Sequence, residues 1–453
     1  MTYKSRTNFF HDFLFLLPVS VFFLLFDLGK GSLASWDEAI YAVVAKEIVQ
    51  SGNWLHLTFG GQPWCDRPPL CLWATACFFK CFGIHEFSAR LFSALCGLGA
   101  GIVTYLLGAR LFNRWIGLWG ALVLLSSSDF LHFSRLGMMD APLTFFISLS
   151  MYFFWLGRER RRYLVFSGIA IGLALLAKGL IAFFVFPILW IYCFWAGELE
   201  VLGRSTYWIG VMIAVAIALP WNVYEMITCH NVSTFTILER HSGSAYFYIR
   251  TLVNNYHPWV LAAIVSGPYF LFKAIKERTP EMIFLTVWML FVFVWITLRQ
   301  TKWSGAILPL YPALSLTAGF ILAKMFNENQ RVLVQGLFLL ILALHVPYSH
   351  IFRMDYSRDL KGIAEIVQKE VPQKETLYLY NYHEIPAAMF YLERKGTYLD
   401  GKESLISALG DRKSFFCLIH DEDWRSILKD RPNLGIAPKG FFENLALVTK
   451  RGR

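Results

Sequence analysis

Charge is what this 453-residue sequence has least of: Asp, Glu, Lys and Arg make up 16% of it, against about a quarter in soluble globular chains. With 56% hydrophobic and 17% aromatic residues and a mean hydropathy of +0.47, that shortage excludes a soluble globular protein. A disordered chain is excluded by the same figures, and a collagen-like one by 32 glycines without a period of three. No basic run is interleaved with base-stacking aromatics, so the net charge of +10 does not imply a nucleic-acid partner. There is no nucleotide-binding glycine loop, Walker lysine, His-Glu-x-x-His helix or nucleophile elbow, so the chemistry does not draw on a bound nucleotide. The 8 cysteines show no CxxC spacing and mostly lie in apolar stretches. They read as small buried residues rather than a disulfide framework or zinc site, Cys65, Cys71, Cys77 and Cys81 forming only a loose cluster. What remains is a polytopic helical membrane protein.

Apolar segments long enough to cross a bilayer run approximately from Phe9 to Leu28, Phe87 to Leu107, Trp115 to Phe133, Ala141 to Leu156, Tyr163 to Ala177 and Leu180 to Trp195. Others run from Tyr207 to Tyr224, Leu252 to Phe272, Met282 to Leu298, Ala306 to Ala323 and Val332 to Tyr348. With Pro69 to Ile84 as a surface-lying helix or partial span, they predict about 11–13 transmembrane helices. The stretch from Met1 to Leu28 has no small-residue cleavage site and reads as an uncleaved first span. Basic residues occupy every second loop: Lys4 and Arg6, Arg110 and Arg114, Arg158 to Arg162, Lys273 with Lys276 and Arg278, then Lys324 and Arg331. The positive-inside rule places those loops in the cytoplasm. Loop 29–86, the turns at Asp140 and Lys178, loop 225–250 and the Arg299 to Lys302 turn then fall on the outer face. Residues 1–350 read as the transmembrane domain. Residues 351–453 are different, with 32 charged residues in 103. Strand-length runs at Thr376 to Tyr380 and Phe415 to Ile419, and helical spacing of Leu360, Ile363, Ala364 and Val367, predict a small extracytoplasmic α/β domain. Its single cysteine excludes an internal disulfide.

Ionisable groups at membrane depth are costly and are usually tied to function or partnered within the bundle. Asp37, Glu38, Asp66, Arg67, Arg135, Asp140, Lys178, Arg240, His241, Arg299 and Lys302 all fall at outer span ends or in outer loops. Both signs on one face suggest a site open to the outside, although snorkelling accounts for part of the pattern. The segment from Ser35 to Gly52 predicts an amphipathic helix lying on the membrane, with Ile40, Val44 and Ile48 on one stripe and Gly52 as its stop. Ser35 and Glu38 match a capping box, so Asp37 and Glu38 either complement the helix dipole or supply a general base for a reacting hydroxyl. In Trp64-Cys-Asp66-Arg67-Pro68-Pro69 the prolines hold an acid and a guanidinium in an extended turn, either as a salt-bridged loop or as a grip on phosphate. Asp140 is a helix N-terminal acid or a second carboxylate for the cavity, and Lys178 a snorkelling or a functional lysine. Without nucleotide energy, an outer-face reaction needs a substrate that carries its own activation. A phosphate ester of a lipid fits a basic pocket beside apolar grooves.

Tyr41 through Gly52-Asn-Trp-Leu, Asp66-Arg67-Pro68-Pro69, Phe82-Gly83-x-x-Glu86-Phe87-Ser-Ala-Arg90-Leu, Leu176-Ala-Lys178-Gly179 and Lys302…Leu308-Pro309-Leu-Tyr-Pro312 occur in order. In these the sequence resembles the polyprenyl-phosphate-dependent GT-C glycosyltransferases, of the aminoarabinose transferase and protein mannosyltransferase-like branch, over most of the chain. The resemblance implies a GT-C fold and sugar transfer from a polyprenyl phosphate donor to a glycolipid, glycan or protein acceptor at the periplasmic face of a bacterial inner membrane. It implies that Asp37 and Glu38 are the catalytic signature and that Asp140 is a further catalytic acid. Arg67 would bind donor phosphate, with Arg135, Lys178, Arg299 and Lys302 as further substrate-binding cations. Asp66 and His241 are the candidate ligands for a divalent metal, the one cofactor the resemblance suggests. The chain departs from the aminoarabinose branch at Ile40, Ala306 and Asp66-Arg67, where that branch has Arg, Tyr and Glu-Lys, so sugar and acceptor do not carry over. Two other readings are a transporter of lipid-linked sugar, for which no internal repeat is visible, and a non-catalytic lipid-binding relative.

Overall fold

In the computed structural model, residues 3–34, 36–229, 244, 246–299, 302–326, 328–330, 332–333, 335–336, 338–340, 355–381, 385–393, 396–410, 414–431 and 434–450 are described. They divide into two units, Met1–Leu28 with Cys65–Phe352, and Gly29–Trp64 with Arg353–Arg453. The division departs from the linear sequence reading: half of the first long loop clusters with the C-terminal residues rather than with the spans that flank it.

The first unit is helical: α1 (Tyr3–Leu25), α3 (Leu70–Phe82), α4 (Glu86–Leu111), α5 (Arg114–Ser126), α6 (Ser128–Arg135), α7 (Asp140–Glu159), α8 (Tyr163–Lys178), α9 (Val185–Ala196), α10 (Ser205–Cys229), α11 (Phe247–Asn255), α12 (Val260–Lys276), α13 (Pro280–Leu298) and α14 (Tyr311–Met325). Five helical runs among the described residues are long and apolar enough to cross a membrane, or six if α5 and α6, bent by 64° at Ser127, count as one. The 11–13 expected helices are more numerous because the run Tyr163–Ala196 joins two of them and others are shorter or interrupted. Leu252 to Phe272 is split between α11 and α12 at Pro258, where proline cannot donate the helix hydrogen bond. Most of Val332 to Tyr348 lies outside the described residues, while Ala306 to Ala323, although it begins as a 3₁₀ turn, Ser304–Leu310, belongs to one of the five runs.

Within the run Tyr163–Ala196, α8 stops at Lys178, Gly179 takes φ +76°, and a 3₁₀ turn, Gly179–Phe184, leads into α9. The chain doubles back here: Glu198, just past α9, is ion-paired with Arg158 near the end of α7, and Tyr192 packs edge-on to Phe154. Small residues set the closest helix contact. A Cβ on Gly168 of α8 would stand 2.1 Å from the Gly210 carbonyl of α10, so only glycine permits that approach.

In the second unit, α2 (Asp37–Ser51) ends at Gly52, whose left-handed φ of 72° returns its N–H to the Ile48 carbonyl. A short antiparallel pair follows, β1 (Thr58–Phe59) with β2 (Gln62–Pro63). The remaining strands are β3 (Leu377–Tyr380), β4 (Gly396–Leu399), β5 (Phe416–His420), β6 (Ile436–Phe442) and β7 (Leu445–Lys450), in the order β4-β3-β5-β7-β6. β3 runs parallel to β4 and β5, while β7 is antiparallel to β5 and β6. Four helices accompany them: α15 (Arg358–Glu370), α16 (Ile385–Leu392), α17 (Gly401–Gly410) and α18 (Asp421–Asp430). Leu360, Ile363, Ala364 and Val367 are the buried stripe of α15, as their spacing predicts.

Expected as a membrane-surface helix with one apolar stripe, α2 instead buries Ala39, Tyr41, Ala42, Val43, Val44, Ala45 and even Lys46 together with Ile48. The reason is that it packs against α16 of the same unit. Such burial on several sides is invisible to a one-stripe reading.

Candidate active site

Asp140 opens α7, where the partial positive charge of a helix N-terminus favours a carboxylate. Its side chain is 1% exposed, and Oδ1 is ion-paired with Lys178 Nζ at the end of α8. Oδ2 is buried and has no hydrogen-bond donor among the described residues. The 3₁₀ turn Ser304–Leu310 closes over this pair through Gly305, where a Cβ would lie 2.7 Å from Asp140 Oδ1 and 2.6 Å from Trp303 Nε1. Gly305→Ala is therefore expected to displace the Asp140 carboxylate. Overpacking of this kind costs about 1–3 kcal/mol, read as a lowered melting temperature together with lost turnover.

Cys71 in the first turn of α3 directs its thiol to the Ala177 carbonyl at 3.6 Å and lies within electrostatic reach of Lys178 and Asp140. The start of α3, three residues after Arg67, is thereby seated against the acid–lysine pair. Arg67 is half-buried and donates from Nη1 to the Asp66 carbonyl at 3.0 Å, while Asp66 itself is exposed. Arg299, just beyond α13, is close enough to be influenced by Arg67. Lost solvation together with repulsion from Arg67 lowers the Arg299 pKa, and the neighbouring Tyr248 opposes that shift. Among the described residues Arg299 makes no ion pair.

Lys302 is buried, donating to the Ile296 and Thr297 carbonyls at the end of α13 at 3.3 and 2.5 Å. Burial and the nearby Arg299 lower its pKa. Its ammonium lies 5.4 Å from the centre of the Tyr248 ring. Tyr248 is 1% exposed, donates to the Trp303 carbonyl and accepts from the Trp303 N–H, both at 3.3 Å. Burial raises its phenol pKa, and it lies within electrostatic reach of both Arg299 and Asp140. One cluster thus joins Arg67, Asp140, Lys178, Arg299 and Lys302, all named by the sequence reading. Asp140 and Lys178 neutralise each other, and Arg299 and Lys302 add positive charge beside them, as an anion site requires.

Three of the residues singled out in the sequence have structural partners in the fold. Arg135 is fully buried and donates from Nη1 and Nη2 to the Phe23 and Phe26 carbonyls at 2.7 and 2.8 Å. It neutralises the negative end of α1. Glu38, read with Asp37 as an acid pair, is 1% exposed and accepts the Ala34 N–H at 2.7 Å. Cys65, read as an ordinary buried thiol, is disulfide-bonded. His241 lies outside the described residues, as does Ser35, the other half of the expected capping box. Asp37, in the second unit, is half-buried in the first turn of α2, where its Oδ2 accepts the Tyr41 hydroxyl at 3.1 Å.

Several polar residues escaped the sequence reading. Tyr248 reads as one more aromatic in an aromatic loop. Asp129 is buried and accepts the Tyr311 hydroxyl at 3.0 Å, and Glu225, also buried, accepts the Trp221 indole N–H at 2.6 Å. Both acids lie within or at the end of apolar runs, and that placement was the available signal.

The chain has the GT-C fold of integral-membrane glycosyltransferases. Its structure superposes on the crystal structure of ArnT from Cupriavidus metallidurans bound to undecaprenyl phosphate with a TM-score of 0.77, at 19% identity, over 96% of this chain and 97% of that one. The family model for dolichyl-phosphate-mannose-protein mannosyltransferases matches residues 66–224. An uncharacterized protein of Aquifex aeolicus (strain VF5) is 30% identical over 356 residues, covering 74% of this chain and 70% of its own length. The undecaprenyl phosphate-alpha-4-amino-4-deoxy-L-arabinose arabinosyl transferase of Shewanella sediminis (strain HAW-EB3) is 26% identical over 344 residues, which are 70% of this chain and 61% of that protein. The chain belongs to the polyprenyl-phosphate-dependent GT-C glycosyltransferase family.

Proposed function

We propose that the protein transfers one sugar from undecaprenyl phosphate to an envelope acceptor, a lipid A-type glycolipid, a glycan or a protein, at the periplasmic face of a bacterial inner membrane. The C-terminal α/β domain would lie on that same side. The observation that carries the reading is the cation cluster: Arg299 and Lys302 gather near the buried Tyr248, with Arg67 within electrostatic reach of Arg299, while the local acid Asp140 is already matched by Lys178. A lipid phosphate is the anion that such a cluster suits.

In the transfer, an acceptor oxygen forms a bond to the anomeric carbon as the bond from that carbon to the phosphate oxygen breaks. The electron pair leaves on the polyprenyl phosphate. Arg67, Arg299 and Lys302 stabilise that growing charge, the contribution that usually dominates such steps. Where the acceptor is a hydroxyl, Asp37 takes its proton; where it is a phosphate, Asp37 positions it. Asp140 Oδ2 offers a buried acceptor for a sugar hydroxyl. For a divalent metal, the described residues present no group of three His, Cys, Asp or Glu side chains, Asp66 is exposed, and no step is assigned to a metal.

Mass spectrometry of envelope glycolipids and glycoproteins with and without the gene tests the activity: one glycoconjugate should disappear on deletion. Arg67→Ala should cut its formation by about 10², the usual effect of removing one charge-stabilising donor, and wild-type yield in that variant would remove Arg67 from the site. Uptake of labelled lipid-linked sugar without any transfer would support a transporter instead.

A further inference from the structure

The second unit ties the backbone leading into α2 to the C-terminal residues. The Ser32 N–H donates to Asp355 Oδ1 at 2.8 Å, and the Ser357 N–H donates to Ser32 Oγ at 2.6 Å. The next residue, Leu33, donates its N–H to the Tyr391 hydroxyl at 2.7 Å. Ala34 then donates its N–H to Glu38 Oε2, inside the first turn of α2, and the Ala39 N–H returns to the Ala34 carbonyl at 3.0 Å. Ser32, Leu33 and Ala34 are fully buried, so an N–H left without its partner there is costly. Further along α2, the buried Lys46 donates to the Phe390 carbonyl at 3.0 Å, lies 5.5 Å from that ring's centre, and reaches Glu393 at 3.5 Å. Both the entry to α2 and its middle are held by α16 and the residues preceding α15.

From this geometry we infer that Tyr391 and Asp355 are positioning residues for sugar transfer, aligning Asp37 through the backbone of residues 32–34. The inference rests on the role given to Asp37 above. The C-terminal residues of this unit thereby hold the backbone that carries Asp37. Positional errors of about 1 Å at such a group cost on the order of a hundredfold in rate, so loosening its entry strand affects turnover before it affects folding.

The test uses the full chain, expressed in a strain lacking the gene, and reads the glycoconjugate that deletion removes. The double variant Tyr391→Phe/Asp355→Ala leaves two buried N–H groups without partners and should lose about tenfold or more in turnover. Its affinity for undecaprenyl phosphate alone should stay within about twofold of wild type, since Arg67 and Arg299 belong to the other unit. Asp355→Asn keeps an oxygen able to accept from Ser32 and should restore turnover relative to Asp355→Ala. Wild-type turnover in the double variant, failure of Asp355→Asn to rescue, or a matching loss of lipid-phosphate affinity would overturn the inference. Asp37→Asn, run alongside, separates the two claims. If it is fully active, the reading of Asp37 fails; if it is inactive while the double variant is normal, only the positioning role fails.

Discussion

Asp37→Asn is expected to abolish transfer, lowering turnover by about 10²–10⁴, the range a positioned acid or base usually contributes. Asparagine keeps the volume of the side chain and an oxygen that can still accept the Tyr41 hydroxyl, so α2 and its packing should survive. What it lacks is the charge and the basicity. Comparing transfer to hydroxyl and phosphate acceptors distinguishes proton removal from placement, because a phosphate nucleophile has little need of a base. Glu38→Gln is the matching control: its amide oxygen can still take the Ala34 N–H, so the variant should remain active. An active Asp37→Asn enzyme beside an inactive Glu38→Gln one would reverse the roles of the two acids.

Lys178→Met is expected to be the most destabilising single change in the membrane unit. It strips the partner from a carboxylate that is 1% exposed and whose other oxygen already lacks a donor among the described residues. Breaking a buried pair from one side costs about 3–5 kcal/mol, because the remaining charge stays in a poorly solvating interior. The variant should melt at a markedly lower temperature in detergent and lose transfer. The double variant Lys178→Met/Asp140→Asn removes both charges and should recover most of the melting temperature without recovering turnover. Recovery of both would mean that the pair is structural only, whereas a double variant as unstable as the single one would show that the cost lies in lost packing rather than in the stranded charge.

Much of the cation cluster was legible in advance. Arg67, Asp140, Lys178, Arg299 and Lys302 lie hundreds of residues apart at their extremes, yet each falls at the end of an apolar run where an ionised group is out of place. Arg135 obeys the same rule and holds the end of α1, since a helix C-terminus attracts a cation as readily as a phosphate does. The same ambiguity partly covers Lys302, which holds the last carbonyls of α13 while sharing the cluster with Arg299.

Local pattern determined membrane residence, the α/β character of the last hundred residues, the helix from Asp37 to its glycine stop and the list of costly charges, because each depends only on composition, period or near neighbours. Tertiary structure alone decided which charges are spent on helix ends, which oxygen of Asp140 is left over, and that the loop carrying Asp37 packs with residues more than 300 positions away. Those outcomes depend on partners brought together by packing. A polar side chain carries no mark in the sequence of which distant backbone group will satisfy it.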